Sequence, residues 1–120
     1  MKMIRLIQRR LIILKGDTGS FTIPALNSTD INDILIFSIF DPFEYKVIFQ
    51  KHVIPDGKVI NISFSHDETL ELPSGKYVWD IKYYKNPILE DGKIVDSEEV
   101  NSYYAAFTLP ICEIRETLEN

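Results

Sequence analysis

No stretch of this chain sustains an apolar helical period over three turns, and that absence limits the fold more than any motif does. Its apolar residues alternate instead. Tyr77, Trp79, Ile81 and Tyr83 line one face of a strand read over residues 76–84, with Val78, Asp80, Lys82 and Tyr84 on the other. Leu35, Phe37 and Ile39 share one face of residues 34–40. The opposite face carries Ile34, Ile36, Ser38 and Phe40, so this strand is expected to be central or covered on both sides. Residues 59–65 turn Ile60, Ile62 and Phe64 inward, and residues 102–109 do the same with Tyr103, Ala105, Phe107 and Leu109. Turn chemistry separates these runs: Pro55-Asp56-Gly57, Pro73-Ser74-Gly75 and Asp91-Gly92. The pattern predicts an all-β fold, an immunoglobulin-like antiparallel β-sandwich of about 7–9 short strands.

The remaining segments fit that frame. Residues 4–14 read as a first strand with a break near Gln8, and residues 21–23 as a short strand stopped by Pro24. A polar loop is expected over residues 27–33. Residues 46–53 and 59–65 are expected to pair as a hairpin across the Pro55–Gly57 turn. Residues 66–72 suit a short helical turn or a bend, with Asp67 and Thr69 in capping or turn roles. Residues 111–120 are read as a further strand or a short helix. The length of 120 residues suits one domain, residues 1–120, able to build a core without metal or disulfides.

Charge is unevenly placed. The net charge of −5 weighs against nucleic-acid binding by the surface as a whole. Yet Lys2, Arg5, Arg9, Arg10 and Lys15 precede the first acid, Asp17. Residues 1–15 therefore read either as a basic docking arm for an acidic neighbour, or as a first strand with solvated charges. The uninterrupted apolar run there, Leu11 to Leu14, is shorter than a signal sequence needs, and no segment approaches the roughly 20 apolar residues of a helical membrane span. A soluble, unprocessed protein without membrane contact is expected. Cys112 is the only cysteine, which excludes an internal disulfide and a cysteine-based zinc cluster, and fits folding in a reducing cytoplasm.

No catalytic constellation stands out. His52 and His66 share no metal-ligand spacing, and Cys112 has no local partner signature for a nucleophile. Asp67, Glu68 and Glu71, and again Asp96, Glu98 and Glu99, form carboxylate clusters that read as solvated loop charge, or as candidates for acid–base or calcium chemistry. The glycines are isolated turn residues, so no phosphate cradle is expected. The Tyr77, Trp79 and Tyr83 face is either a core face or a sugar-stacking face. No enzyme activity and no cofactor are expected.

One stretch carries a resemblance. Asp67, Thr69, Leu72, Pro73, Gly75, Tyr77, Trp79, Asp80 and Ile81 follow a pattern similar to one in small β-sandwich domains of tailed-phage virions. The type example is the N-terminal domain of the baseplate upper protein family. There an acid and Thr precede Leu-Pro-x-Gly, which leads into a Tyr-x-Tyr/Trp-Asp-Ile/Val strand. The resemblance implies a polar turn, a chain reversal, and a core strand with Asp80 turned outward or pairing with a turn. It implies a non-enzymatic virion or prophage structural protein, made in the bacterial host cytoplasm. Its partners would be other virion structural proteins, including copies of itself. The other reading of the residues is a carbohydrate-binding or adhesive immunoglobulin-like module.

Overall fold

The computed structural model describes residues 4–25, 32–53, 55–104 and 108–116. Among the described residues the fold is all-β with one short helix. A large sheet contains β1 (Ile4–Ile7), β2 (Arg10–Leu14), β4 (Ile34–Asp41), β5 (Lys46–Val53), β8 (Gly75–Lys85), β11 (Glu99–Ser102) and β12 (Ile111–Arg115). Its strand order is β1-β2-β12-β8-β4-β5. β8 is long enough for one edge to serve two strands, β12 from Gly75 to Val78 and β11 from Lys82 to Lys85. A smaller sheet packs over part of it, in the order β3 (Gly19–Pro24), β7 (Val59–Phe64) and β6 (Pro55–Asp56). A separate hairpin, β9 (Ile88–Glu90) with β10 (Lys93–Asp96), belongs to neither sheet.

The alternation decides what faces inward. Leu35, Phe37, Ile39, Trp79, Ile81 and Tyr83 from the large sheet meet Phe21, Ile23, Ile60, Ile62 and Phe64 from the small one. Trp79 is fully buried, and its ring centroid lies 5.8 Å from those of both Phe21 and Phe37. Such tilted and edge-on aromatic contacts add about 0.5–1.5 kcal/mol each beyond area burial. The indole N–H would be orphaned in this core, but it donates to the Arg9 carbonyl at 2.9 Å. That carbonyl sits in the β1–β2 turn, where Gln8 adopts a φ of 56°. The break expected near Gln8 is this turn, and β2 takes the apolar Leu11 and Ile13 into the core.

The short helix, α1 (His66–Leu70), is started by Ser65, whose side chain accepts from the Glu68 N–H while the Glu68 carboxylate accepts from the Ser65 N–H. The N-cap is thus Ser65. Asp67 is exposed in the first turn. Thr69 acts differently, because its buried hydroxyl donates to the Asp17 carbonyl at 2.7 Å. His66 Nδ1 meets the neighbouring Gly16 carbonyl. Together they pin α1 onto the turn between β2 and β3.

Several expectations need correction. β5 and β7 are not a hairpin. The chain leaves the large sheet after Val53 and enters the small one at Pro55, where two-residue β6 pairs with β7 across Gly57. The physical reason is the core itself: Ile60, Ile62 and Phe64 must oppose Phe37 and Ile39 across the layer, and strands paired edge to edge cannot do that. The sandwich is not wholly antiparallel, because β2 and β12 run parallel. The described residues hold twelve strands, more than expected, since several runs divide at turns. The strand expected over residues 102–109 ends at Ser102. Tyr103 and Tyr104 turn away, Ala105 and Phe107 lie outside the described residues, and Leu109 is not in a strand. Residues 111–115, read as a strand or a short helix, form strand β12 beside β8. The expected polar loop falls largely on residues 26–31, outside the described residues, as does Lys2.

Candidate functional site

Both poles of the large sheet carry exposed apolar side chains, and single ones such as Ile7 and Leu70 stand open elsewhere. β4 and β8 run antiparallel, so the β4–β5 turn lies at one end of the sheet and the β9–β10 hairpin, which follows Lys85, at the other. At the first pole Phe43 is 90% exposed and Tyr45 83% exposed. The turn that carries them is fixed by Asp41, whose Oδ1 accepts from the N–H groups of Phe43 and Glu44 at 2.8 and 3.3 Å. At the second pole Ile88, Leu89 and Val95 are each at least half exposed, with Val100 of β11 nearby in sequence and similarly open. The hairpin turns at Asp91 and Gly92, both at positive φ, as a two-residue hairpin loop requires. Its base is held firmly. Asn86 N–H donates to Asp33 Oδ1 at 2.9 Å, and Ser97 Oγ donates to the Lys85 carbonyl at 2.8 Å.

Between the poles, the outer face of β5, β4 and β8 forms a shallow cleft of about 260 Å³. Ile36, Phe40, Val47, Tyr45 and Tyr84 give it apolar walls, and Ser38, Gln50, Asp80 and Lys82 give it polar groups. Asp80 is the least exposed of these. Its Oδ1 accepts from the N–H groups of Ile81 at 2.8 Å and Tyr104 at 3.3 Å. Burial raises its pKa above the ordinary value, and those hydrogen bonds offset only part of the rise.

The sequence-derived site residues divide in two. Those of the resemblance act as scaffold: Leu72, Trp79 and Ile81 are core, and Thr69 ties α1 to the β2–β3 turn. Gly75 begins β8 at a φ of 143°, and the Tyr77 hydroxyl donates to the Ser74 carbonyl at 3.3 Å. Pro73 is exposed in the reversal, and Asp80 faces outward and accepts from the turn at Tyr104. Of the basic residues, Arg5 and Arg9 are exposed, and the Arg9 guanidinium lies 5.7 Å from the Tyr104 ring centroid. Arg10 pairs with Glu113, which Arg115 also holds. Lys15 is half-buried after β2, its N–H donating to the Arg115 carbonyl at 2.9 Å.

Two of the candidate reactive groups are occupied with structure, while His52, Asp67 and Glu71 are exposed. Glu68 belongs to the capping box and pairs with Lys51 at 3.1 Å. Cys112 is fully buried, and desolvation pushes its thiol up to about 12, far from a reactive thiolate. Among the described residues, no three His, Cys, Asp or Glu side chains converge as metal ligands. The Trp79 face is core and unavailable to sugars. The sequence reading did not single out Phe43, Tyr45, Ile88, Leu89 or Val95. Two aromatics inside a polar turn after Asp41-Pro42, and apolar residues flanking Asp91-Gly92, were the available signals. Compared with family models, with curated proteins and with solved structures, the chain finds no match.

Proposed function

We infer that this chain is a non-enzymatic structural module that joins neighbouring subunits of a tailed-phage or prophage virion through protein–protein contacts. The observation that carries the assembly role is the placement of exposed apolar tips at opposite poles of one sheet. Phe43 stands at one pole and Ile88, Leu89 and Val95 at the other. A two-stranded hairpin is marginal by itself in water, and apolar side chains on it gain burial only from a partner. Eight-residue β4 separates the poles by about 25 Å at strand rise, enough to contact two different neighbours. The virion setting rests on the resemblance of residues 67–81. An immunoglobulin-like reading of the sandwich is supported by the sheet partition. β12, β8, β4 and β5 follow the order G-F-C-C′, and β3, β7 and β6 the order B-E-D.

The sheet edges are less inviting than the tips. β1 is four residues long and carries Arg5. β5 carries Lys46 and Lys51, and its pairing with β4 is interrupted by a bulge. Short strands, charges and bulges are the devices that discourage edge pairing. The association is therefore read as tip-to-neighbour docking rather than strand addition.

The test is light scattering on the purified chain across concentration and salt, with negative-stain imaging of the same fractions. Concentration-dependent assembly is expected, abolished by either Phe43→Ser or Leu89→Ser with the fold retained. Mixing the two variants should restore pairs but not longer assemblies, because each keeps one working pole. The virion setting is checked by mass spectrometry of particles produced by the genome that encodes the chain. A strict monomer at every concentration would remove self-assembly, and absence from purified particles would remove the virion setting.

A further inference from the structure

The outer face of β5, β4 and β8 carries a polar row in an apolar frame. Asp80, Ser38 and Gln50 are direct cross-strand partners, so they stand side by side across three strands. Gln50 Nε2 donates to Ser38 Oγ at 3.2 Å, and a hydroxyl and an amide each have more donor and acceptor capacity than that one bond uses. At the usual strand spacing the row spans about 10 Å. One pleat step away, about 7 Å along the strands, lies Phe40, with Tyr45 at the rim. On the other side stand Lys82 and then Tyr84. Polar groups thus occupy the floor, between aromatic side chains at either end.

Two further features point the same way. Tyr45 sits at a φ of 56°, in the left-handed region that an L-residue adopts only at a cost. The residue is 83% exposed, so core packing does not offset that cost. Strain of this kind collects at binding sites. The pairing of β4 with β5 is also bulged, so that Phe40 opposes Val47 where Ile39 opposes Phe49. Bulges re-aim side chains near functional surfaces.

We propose that this cleft binds a saccharide, with a hexose ring lying across the polar row. A sugar offers vicinal hydroxyls at its edges and an apolar C–H face. Carboxylate, hydroxyl, amide and ammonium groups are the complement of the first, and the rings of Tyr45 and Tyr84 of the second. An apolar ligand would desolvate the row and leave its spare donors and acceptors without partners. A nucleic acid would meet a chain of net charge −5. A flat protein partner would bury the same donors and acceptors at a similar cost. The cleft does not use Phe43 or Leu89, so this inference and the assembly reading can fail separately.

The experiment is saturation-transfer NMR followed by calorimetric titration of the full chain. The probes are glucose, galactose, N-acetylglucosamine and their β-linked disaccharides, each up to about 10 mM, which reaches millimolar affinity. At least one should bind and shift amide resonances in β4, β5 and β8. Gln50→Ala, Lys82→Ala and Tyr45→Ala should each weaken it about tenfold. Tyr45→Phe should retain most of the affinity, and Phe43→Ser should leave it unchanged. All four positions are exposed, so folding is not at stake. Absence of binding by every probe overturns the proposal, as does binding insensitive to all three alanine variants. Amide protection of β4 and β5 on self-association would make the face a protein contact and overturn it too.

Discussion

Thr69→Val tests the most specific element of the scaffold. The substitution keeps the shape of a fully buried side chain and deletes one hydroxyl. If the site needs only apolar packing, valine is neutral or stabilising. The geometry says otherwise. Thr69 Oγ1 donates to the Asp17 carbonyl at 2.7 Å, a contact spanning 52 residues, and its second bond, to the His66 carbonyl at 3.2 Å, is a local back-bond of little weight. Losing the first leaves a partly buried carbonyl without its donor, at about 1–3 kcal/mol. A central value of about 2 kcal/mol, with an m-value of about 2 kcal/mol/M in urea, moves the unfolding midpoint down by about 1 M. Thr69→Ser keeps the hydroxyl and loses a methyl group worth about 0.8 kcal/mol plus a small cavity cost, so it should fall less far. Hydrogen exchange should quicken first in α1 and in the turn before β3, with central β4 and β8 unaffected. A Thr69→Val midpoint equal to or above that of the parent would refute the reasoning.

Substitutions at three other positions probe charge and strain. Burial works to raise the Glu113 pKa, but hydrogen bonds and charge from Arg115 and Arg10 outweigh it and hold the carboxyl below its ordinary value. A depressed pKa means stability present above about 4.5 and lost as pH falls through the folded value. Glu113→Gln should therefore cost about 1–2 kcal/mol near neutrality in urea titrations, with the gap to the parent closing in acid. Asp80 works in the opposite sense: its raised pKa favours the folded state below about 3.8 and loses that contribution as pH rises. Asp80→Asn, which keeps an acceptor for Ile81 and Tyr104, should match or exceed the parent at pH 7. Asp80→Ala should lose about 1–3 kcal/mol, measured in the same titration. Tyr45→Gly should relieve the positive φ and raise the melting temperature by about 3–5 °C, a net gain near 1 kcal/mol, while removing the ring from the cleft.

What was legible in the sequence follows from what constrains each feature. Leu35, Phe37 and Ile39, and Trp79 with Ile81, were readable because a buried face enforces a period of two residues. The Asp91-Gly92 turn was readable because few residues tolerate positive φ at both positions. Sheet membership was not. Nothing local in residues 46–65 says that the chain changes layer between Val53 and Pro55, because the alternation is the same in either layer. Nor could Arg10 be seen as a partner of Glu113, since 103 residues separate them. The polar row was hidden for a similar reason. Ser38, Gln50 and Asp80 become neighbours only once the registers of β5, β4 and β8 are fixed.

The parallel pairing of β2 with β12 sets how the domain answers to tension. Force drawn through the chain enters before β1 and leaves after β12. The β1–β2 hairpin offers little resistance, because its antiparallel bonds break in succession from the Ile4 end. The load then reaches Arg10 at the start of β2 and Arg115 at the end of β12. In parallel strands those points lie at opposite ends of the shared ladder, which spans Leu11 to Leu14. The two strands are pulled past each other, and their hydrogen bonds must fail together instead of in sequence. Pulled on either side of β1 and β12, the domain would peel open slightly at first and then lock, holding until the whole ladder slides.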